Sequence, residues 1–226
     1  MPVRRLVLTL QLATAVMSAS YGVMFTMLDD YRDAYGIAES GLGLVVAVGF
    51  FASFVSQVLI APLADRGHAK SLLVLGFTLT VLGSLGMAFG TNLLVLLLGR
   101  IVMGIGAGMA LPALRRIVIV ADPENLGNNM GRLLSVDIAG FAIGPVLSAL
   151  TVDTLGIQAP FLIIAGAVVL VAAELFRVAI PETAHDVRPE SSTDRRRTVP
   201  WAVRRGRSRE WRRETTRRPR APPLRR

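Results

Sequence analysis

Three ionisable side chains lie where the chain is otherwise apolar: Arg100 in "LLVLLLGRIVMGIG", Asp137 in "GRLLSVDIAGFAIGPVLSAL" and Glu174 in "VLVAAELFRVAI". A carboxyl surrounded by hydrocarbon favours its neutral form, and a nearby guanidinium favours the charged one. Such a set can therefore take up and release a proton. Arginine itself stays protonated and acts only through its neighbours. A guanidinium at the bilayer centre costs ~2.5 to 3.5 kcal/mol on insertion scales, so Arg100 is expected to face a watery cavity or a partner. The bland alternative is snorkelling to the outer surface. At 1.5 Å rise per residue, Arg100 and Asp137 stand roughly 10 Å apart along the membrane normal, which excludes direct pairing without tilt or water. Glu174 lies at about the depth of Asp137, and Arg177, three residues on, is placed to neutralise it. Two readings of Asp137 stand side by side: a proton-carrying site, or an interface carboxylate tied to nearby basic residues.

The elements that must position these groups are membrane spans. The chain has 226 residues, 52% of them hydrophobic and 18% charged, too apolar for an ordinary soluble domain. Runs of span length fall at 6–28, 41–63, 71–89, 93–113, 133–152 and 160–180. The expected fold is an all-α membrane protein of six transmembrane helices, with the lipid bilayer as its first partner. The opening "MPVRR" and the apolar run behind it also fit a cleaved signal. The run continues through "YGVMFTML" to a full span, so an uncleaved helix is expected. Arg4, Arg5, Arg66, Lys70, Arg115, Arg116, Arg132 and Arg177 fall on one side of the spans, whereas the other side holds Arg32 among Asp29, Asp30, Asp33 and Glu39. The bias of basic residues towards the inside puts both termini in the cytoplasm and the protein in the cell membrane.

Cysteine is absent, no His/Asp/Glu cluster has metal-ligand spacing, and no serine sits in a G-x-S-x-G turn. No metal, cofactor or enzymatic activity is expected. Gly104, Gly106 and Gly108 spell G-x-G-x-G, but no strand precedes them, so they point to close helix packing rather than a dinucleotide site. Gly140, Gly144 and Ser148 recur every four residues and form a small-residue groove on one helix face. Pro145 beside them is expected to bend the helix.

The loop "APLADRGHAK", residues 61–70, places Asp65 where it can cap the third helix and meet Arg66. It resembles the signature G-x-L-a-D-R-x-G-R-K of the major facilitator superfamily through Leu63, Ala64, Asp65, Arg66 and Lys70. It departs at Ala61, His68 and Ala69, with Gly67 one place early. Arg100, Gly104 and Gly106 match that family's R-x-x-x-G-x-G pattern in the fourth span. Gly131, Gly140, Gly144 and Pro145 meet the G-x8-G-x3-G-P spacing of its proton-coupled antiporters, many of them drug exporters, with Ser148 and Ala149 in place of two closing glycines. Pro181, Glu182 and Thr183 resemble the close of its sixth span.

The resemblance covers about residues 6 to 183 and implies one six-helix half of a twelve-helix transporter, built of two inverted three-helix repeats. It further implies Asp65, Arg66 and Lys70 as an inner gate, Arg100 in proton coupling, and Gly131, Gly140, Gly144 and Pro145 as a packing pivot; Asp137 and Glu174, outside that pattern, are the carboxylates available as proton-coupling partners. Gln11, Ser18 and Tyr21 are the polar groups available to a substrate cavity. The implied activity is proton-coupled efflux of small molecules or drugs. The alternatives are a metabolite uniporter or symporter of the same family, or a fragment that does not transport. The implied partners are protons, a small-molecule substrate, and a second six-helix half or a second copy.

Residues 1–183 form the expected transmembrane domain, and 184–226 an Arg/Pro-rich disordered cytoplasmic tail. Three readings of the tail compete. Foremost is the out-of-frame product of an interrupted GC-rich gene, because Lys70 is the lone lysine among 25 basic residues. Adhesion to anionic lipid comes next. Nucleic-acid binding with Trp201 and Trp211 as stacking groups comes last, and nucleic acid is not expected as a partner.

Overall fold

A computed structural model describes residues 2–177. They form α1 (Pro2–Tyr35), α2 (Glu39–Leu59), α3 (Ala69–Phe89), α4 (Leu93–Ala121), α5 (Leu126–Leu155) and α6 (Ala159–Arg177). A π-helical turn, Ala64–His68, leads into α3, and a 3-10 turn, Pro123–Asn125, leads into α5. All six long helices are long and apolar enough to cross a membrane. The close of the sixth span at 181–183, the boundary at 183 and the Arg/Pro-rich segment lie outside the described residues.

The helices outrun the apolar stretches. α1 continues to Tyr35, α4 to Ala121, and α5 begins at Leu126 rather than 133, because hydropathy marks where lipid ends and not where the backbone ladder breaks. α2 does the opposite and stops at Leu59, short of position 63. Pro62, which has no N–H and disfavours helical geometry in the residue before it, follows three places later.

α1 and α4 are the central helices, and their neighbourhoods mirror each other. α1 packs mainly on α5 and α6, α4 mainly on α2 and α3, and the two also touch each other, as do α3 and α6. Exchanging α1–α2–α3 for α4–α5–α6 maps each of these pairs onto another or onto itself, the pattern of a repeated three-helix unit.

Apolar side chains gain little by leaving lipid for each other, so such helices are held by close backbone approach. A methyl added at Gly144 would stand 2.5 Å from the Ala19 carbonyl oxygen and 2.6 Å from the Val23 nitrogen of α1. Gly140 lies on Ala15 in the same way, and the Ser148 hydroxyl donates to the Val23 carbonyl at 3.2 Å. The G-x-G-x-G stretch serves two neighbours. Gly104 and Gly108 face Gly49 and Ser53 of α2, while Gly106 meets Gly76 and Thr80 of α3. At the far end of the bundle, Tyr31 of α1 donates to the Met87 carbonyl of α3 at 2.6 Å.

Gly131 does not belong to this groove. A methyl there would meet nothing within 4 Å. Nine residues at ~100° each carry Gly131 half a turn round from Gly140, onto the opposite face of α5. α5 remains a single helix through Pro145, whose ring lies against Gly22 of α1.

Overpacking of this kind costs about 1–3 kcal/mol in a well-packed core. Gly144→Leu should therefore lower the thermal unfolding temperature of the detergent-purified chain by several degrees or abolish folding, whereas Gly131→Leu should leave it unchanged. Equal stability of the two variants would remove the close α1–α5 contact as a determinant of the fold.

Candidate functional site

α1, α2, α4 and α5 together line a cavity of about 190 Å³. Ser18 and Tyr21 come from α1, Phe50, Ser53 and Gln57 from α2, Leu111 from α4, and Asp137 and Phe141 from α5. The period of each helix brings them there. Phe50, Ser53 and Gln57 sit three and four apart on one face of α2, as do Asp137 and Phe141 on α5.

One wall of the cavity is charged. The Asp137 carboxylate, 22% exposed, accepts from the Ser18 hydroxyl through one oxygen and from Arg115 of α4 through the other, at 3.0 Å. The carboxylate thus ties three helices together. Its cationic partner lies fifteen residues beyond Arg100, about 22 Å along α4 at 1.5 Å per residue.

Aromatic rings line the same cavity. Tyr21 and Phe50 stand with ring centroids 5.3 Å apart, and Phe25 continues the row to Phe50 at 6.2 Å and to Phe141 at 5.6 Å. Behind the first two rings lies Arg100, fully buried, its guanidinium carbon 4.8 Å from the Tyr21 centroid and 5.9 Å from that of Phe50. The only polar contact of this guanidinium among the described residues is with the Met103 sulfur at 3.7 Å, and two of its nitrogens have no hydrogen-bond partner. Ring faces supply the compensating negative charge, worth about 2 kcal/mol or more when water is excluded. Gly49 of α2 makes the space, since a methyl there would stand 2.7 Å from the Arg100 Cγ.

The remaining sequence candidates lie elsewhere. Gln11 opens into a different cavity at the end of the bundle that carries the α1 N-terminus. Glu174 is bonded to Arg5 of α1 and lies 3.8 Å from Arg177, so it joins α1 to α6 and is not near Asp137. In the α2–α3 turn, Asp65 pairs with Arg116 of α4 at 3.3 Å and does not cap α3, whose first residue is preceded by His68 without any side-chain cap. The reason is the turn itself: Gly67 takes φ 91°, which swings Asp65 away from the α3 axis. A side chain at that backbone angle costs about 1–2 kcal/mol, so the glycine one place early is the one that the bend uses. Arg66 is exposed on the same turn, and Lys70 is exposed at the start of α3.

Sequence reasoning missed Arg115 as the partner of Asp137, and it missed the whole contribution of α2. The signal for the latter was present in "VGFFASF", residues 48–54, where a glycine and aromatics alternate with small residues inside an apolar span. Chemically, the arrangement offers a stacking surface for a flat apolar molecule, a carboxylate tied to Ser18 and Arg115, and a fixed positive charge behind the rings.

Gly49→Val should expel Arg100 from its slot and destabilise the bundle, while Gly43→Val, at a position open on all sides, should not. Thermal unfolding of the two variants checks this; a Gly49→Val chain as stable as the unaltered one would mean that Arg100 does not depend on the slot.

The chain matches the model of the Major Facilitator Superfamily over residues 10–221, a stretch that runs past position 183 into the Arg/Pro-rich segment. It is 31% identical over 129 residues to the quinolone resistance protein NorA of Staphylococcus aureus (strain MRSA252), covering 55% of this chain and 32% of that protein. It is 28% identical over 164 residues to the methylenomycin A resistance protein of Bacillus subtilis (strain 168), covering 70% of this chain and 35% of that protein. The matched stretches thus span about a third of the length of these curated relatives. With the mirrored three-helix packing and six membrane-length helices, the match over most of its length makes this chain a member of the Major Facilitator Superfamily, a family of multi-pass membrane transporters.

Proposed function

We propose that the chain is one six-helix half of a drug-type efflux transporter that exchanges protons for small, flat, largely apolar molecules. The observation that carries this reading is the cavity that the Asp137 carboxylate shares with the rings of Tyr21, Phe50 and Phe141. The names of the two relatives, both resistance proteins, support the efflux direction. The termini lie in the cytoplasm, as the distribution of basic residues argues.

Protonation of Asp137 would cancel the charge that Arg115 holds, freeing α5 from α4 and from Ser18. Substrate and proton then compete for one position, which is the requirement for exchange. Arg100 is a fixed charge under the rings that opposes a second cation in the cavity. Asp65, with Arg66 on the same turn and Lys70 at the start of α3, closes the cytoplasmic side through its pair with Arg116. Gly140 and Gly144 let α5 slide closely on α1. The wide exposure of apolar residues on α2 and α5, Phe51, Phe54, Ile138 and Leu150 among them, supports a second six-helix half, or a second copy, as the partner that completes the path.

The test is flux in proteoliposomes holding the full chain, with ethidium as the probe and an imposed pH gradient as the driving force. The expected result is ethidium movement that reverses with the gradient and is lost in Asp137→Asn. Flux indifferent to the gradient would favour a uniporter; a folded bundle with no flux would show that this half does not transport by itself.

A further inference from the structure

The cavity that holds Asp137 has a second polar corner, on α2, which the exchange of a proton does not use. Gln57 donates an amide N–H to the Ser53 hydroxyl at 3.2 Å, one turn back along the same helix. The Ser53 hydroxyl in turn bonds the hydroxyl of Tyr21 on α1. Tyr21 donates to the Gly104 carbonyl of α4 at 3.4 Å. Ser53 and Tyr21 are buried, so Gln57 is the exposed end of this chain of bonds.

The chain runs in one direction. A carbonyl oxygen only accepts, and each hydroxyl carries a single proton. With the Tyr21 proton committed to Gly104, the Ser53 proton goes to Tyr21, and the Ser53 oxygen can only receive from Gln57. The amide is therefore set with its nitrogen towards Ser53. Its carbonyl oxygen, bonded by none of the described residues, is the end left for a ligand. The remaining hydroxyl in the lining is committed as well, since Ser18 donates to Asp137. The cavity thus presents ring faces and oxygen acceptors, and no hydroxyl proton is free to meet an acceptor on the ligand.

We propose that Gln57 is a specificity-determining residue of this cavity: its carbonyl oxygen takes an N–H from the ligand and so selects flat aromatic molecules that carry such a donor. This rests on the cavity being the substrate site. The buried bonds behind Gln57 hold the amide in place before a ligand arrives. A ligand whose amines are fully methylated stacks on the same rings but leaves the amide oxygen without a donor, and a site built around a hydrogen bond rejects the analogue that lacks it.

The experiment is equilibrium binding to the full chain purified in detergent, read by fluorescence anisotropy, with proflavine and acridine orange as probes. The two dyes are cations on one ring system, with its two amines free in the first and fully methylated in the second. The quantity compared between variants is the ratio of the two affinities, in which stacking, charge and uptake by the micelle largely cancel. Gln57→Leu is expected to lower the proflavine to acridine orange ratio on the order of fivefold, the worth of one neutral hydrogen bond, through weaker proflavine binding alone. Gln57→Glu, which keeps an acceptor at that position, should hold the ratio at or above that of the unaltered chain, a rescue that a role in shape alone would not give. Phe141→Ala, which removes a ring from the lining, should weaken both dyes. An unchanged ratio in Gln57→Leu, with both dyes still bound and still sensitive to Phe141→Ala, overturns the role of Gln57 and leaves the cavity as the binding site. Failure of both dyes to bind, or binding indifferent to Phe141→Ala, overturns the cavity and the role of Gln57 together.

Discussion

Inside a bilayer the hydrophobic effect does not draw one helix to another, so the bundle depends on how closely its backbones can approach. α1 and α4 satisfy that constraint for the whole molecule. Glycines on α5 and α3, and on α4 itself, bring main chains together at spacings that any side chain would forbid. Since the two central helices have equivalent surroundings, one kind of contact, repeated, fixes all six spans. Serine and tyrosine hydroxyls at the same interfaces then give their hydrogen bonds to carbonyl oxygens of the neighbouring helix, as at Ser148 and Ser56.

That frame is what makes the charges tolerable. Arg100 is accommodated because Gly49 leaves a slot and because Tyr21 and Phe50 are held flat over it by α1 and α2. Asp137 is accommodated because Ser18, three residues before Tyr21 on α1, and Arg115 converge on it. A single turn of α1 therefore touches both charged groups. Movement of α1 relative to α4 and α5 is bound to alter the surroundings of both at once. In the proposed exchange, this shared turn, rather than any direct Arg100–Asp137 contact, is what would link a proton to a conformational change.

Much of this was legible in the sequence and some was not, for specific reasons. Six spans follow from apolar length alone, and the close packing of Gly140 and Gly144 follows from four-residue spacing. The separation of Arg100 from Asp137 followed from counting rise along antiparallel helices. Gly131 misled because a linear spacing says nothing of azimuth, and nine residues turn a helix to its other face. The Asp65 partner was not legible because it depends on Gly67 bending the chain, and positive φ leaves no mark beyond the glycine itself. Arg115 was visible as one basic residue among several at that end, and only the packing of α4 on α1 and α5 selects it. α2 was underread because a span that is apolar all round hides which face lines a cavity.

The central claim is that the Asp137 carboxyl gains and loses the coupling proton. Infrared difference spectroscopy of the purified chain, taken between mildly alkaline and mildly acidic conditions, reads this directly through the carboxylic C=O stretch. The account predicts a band that grows on acidification, is missing in Asp137→Asn, and moves to higher pH when Arg115 is replaced by glutamine. A spectrum in which Asp137→Asn removes no band would contradict it and leave Asp137 as a structural tie between α1, α4 and α5.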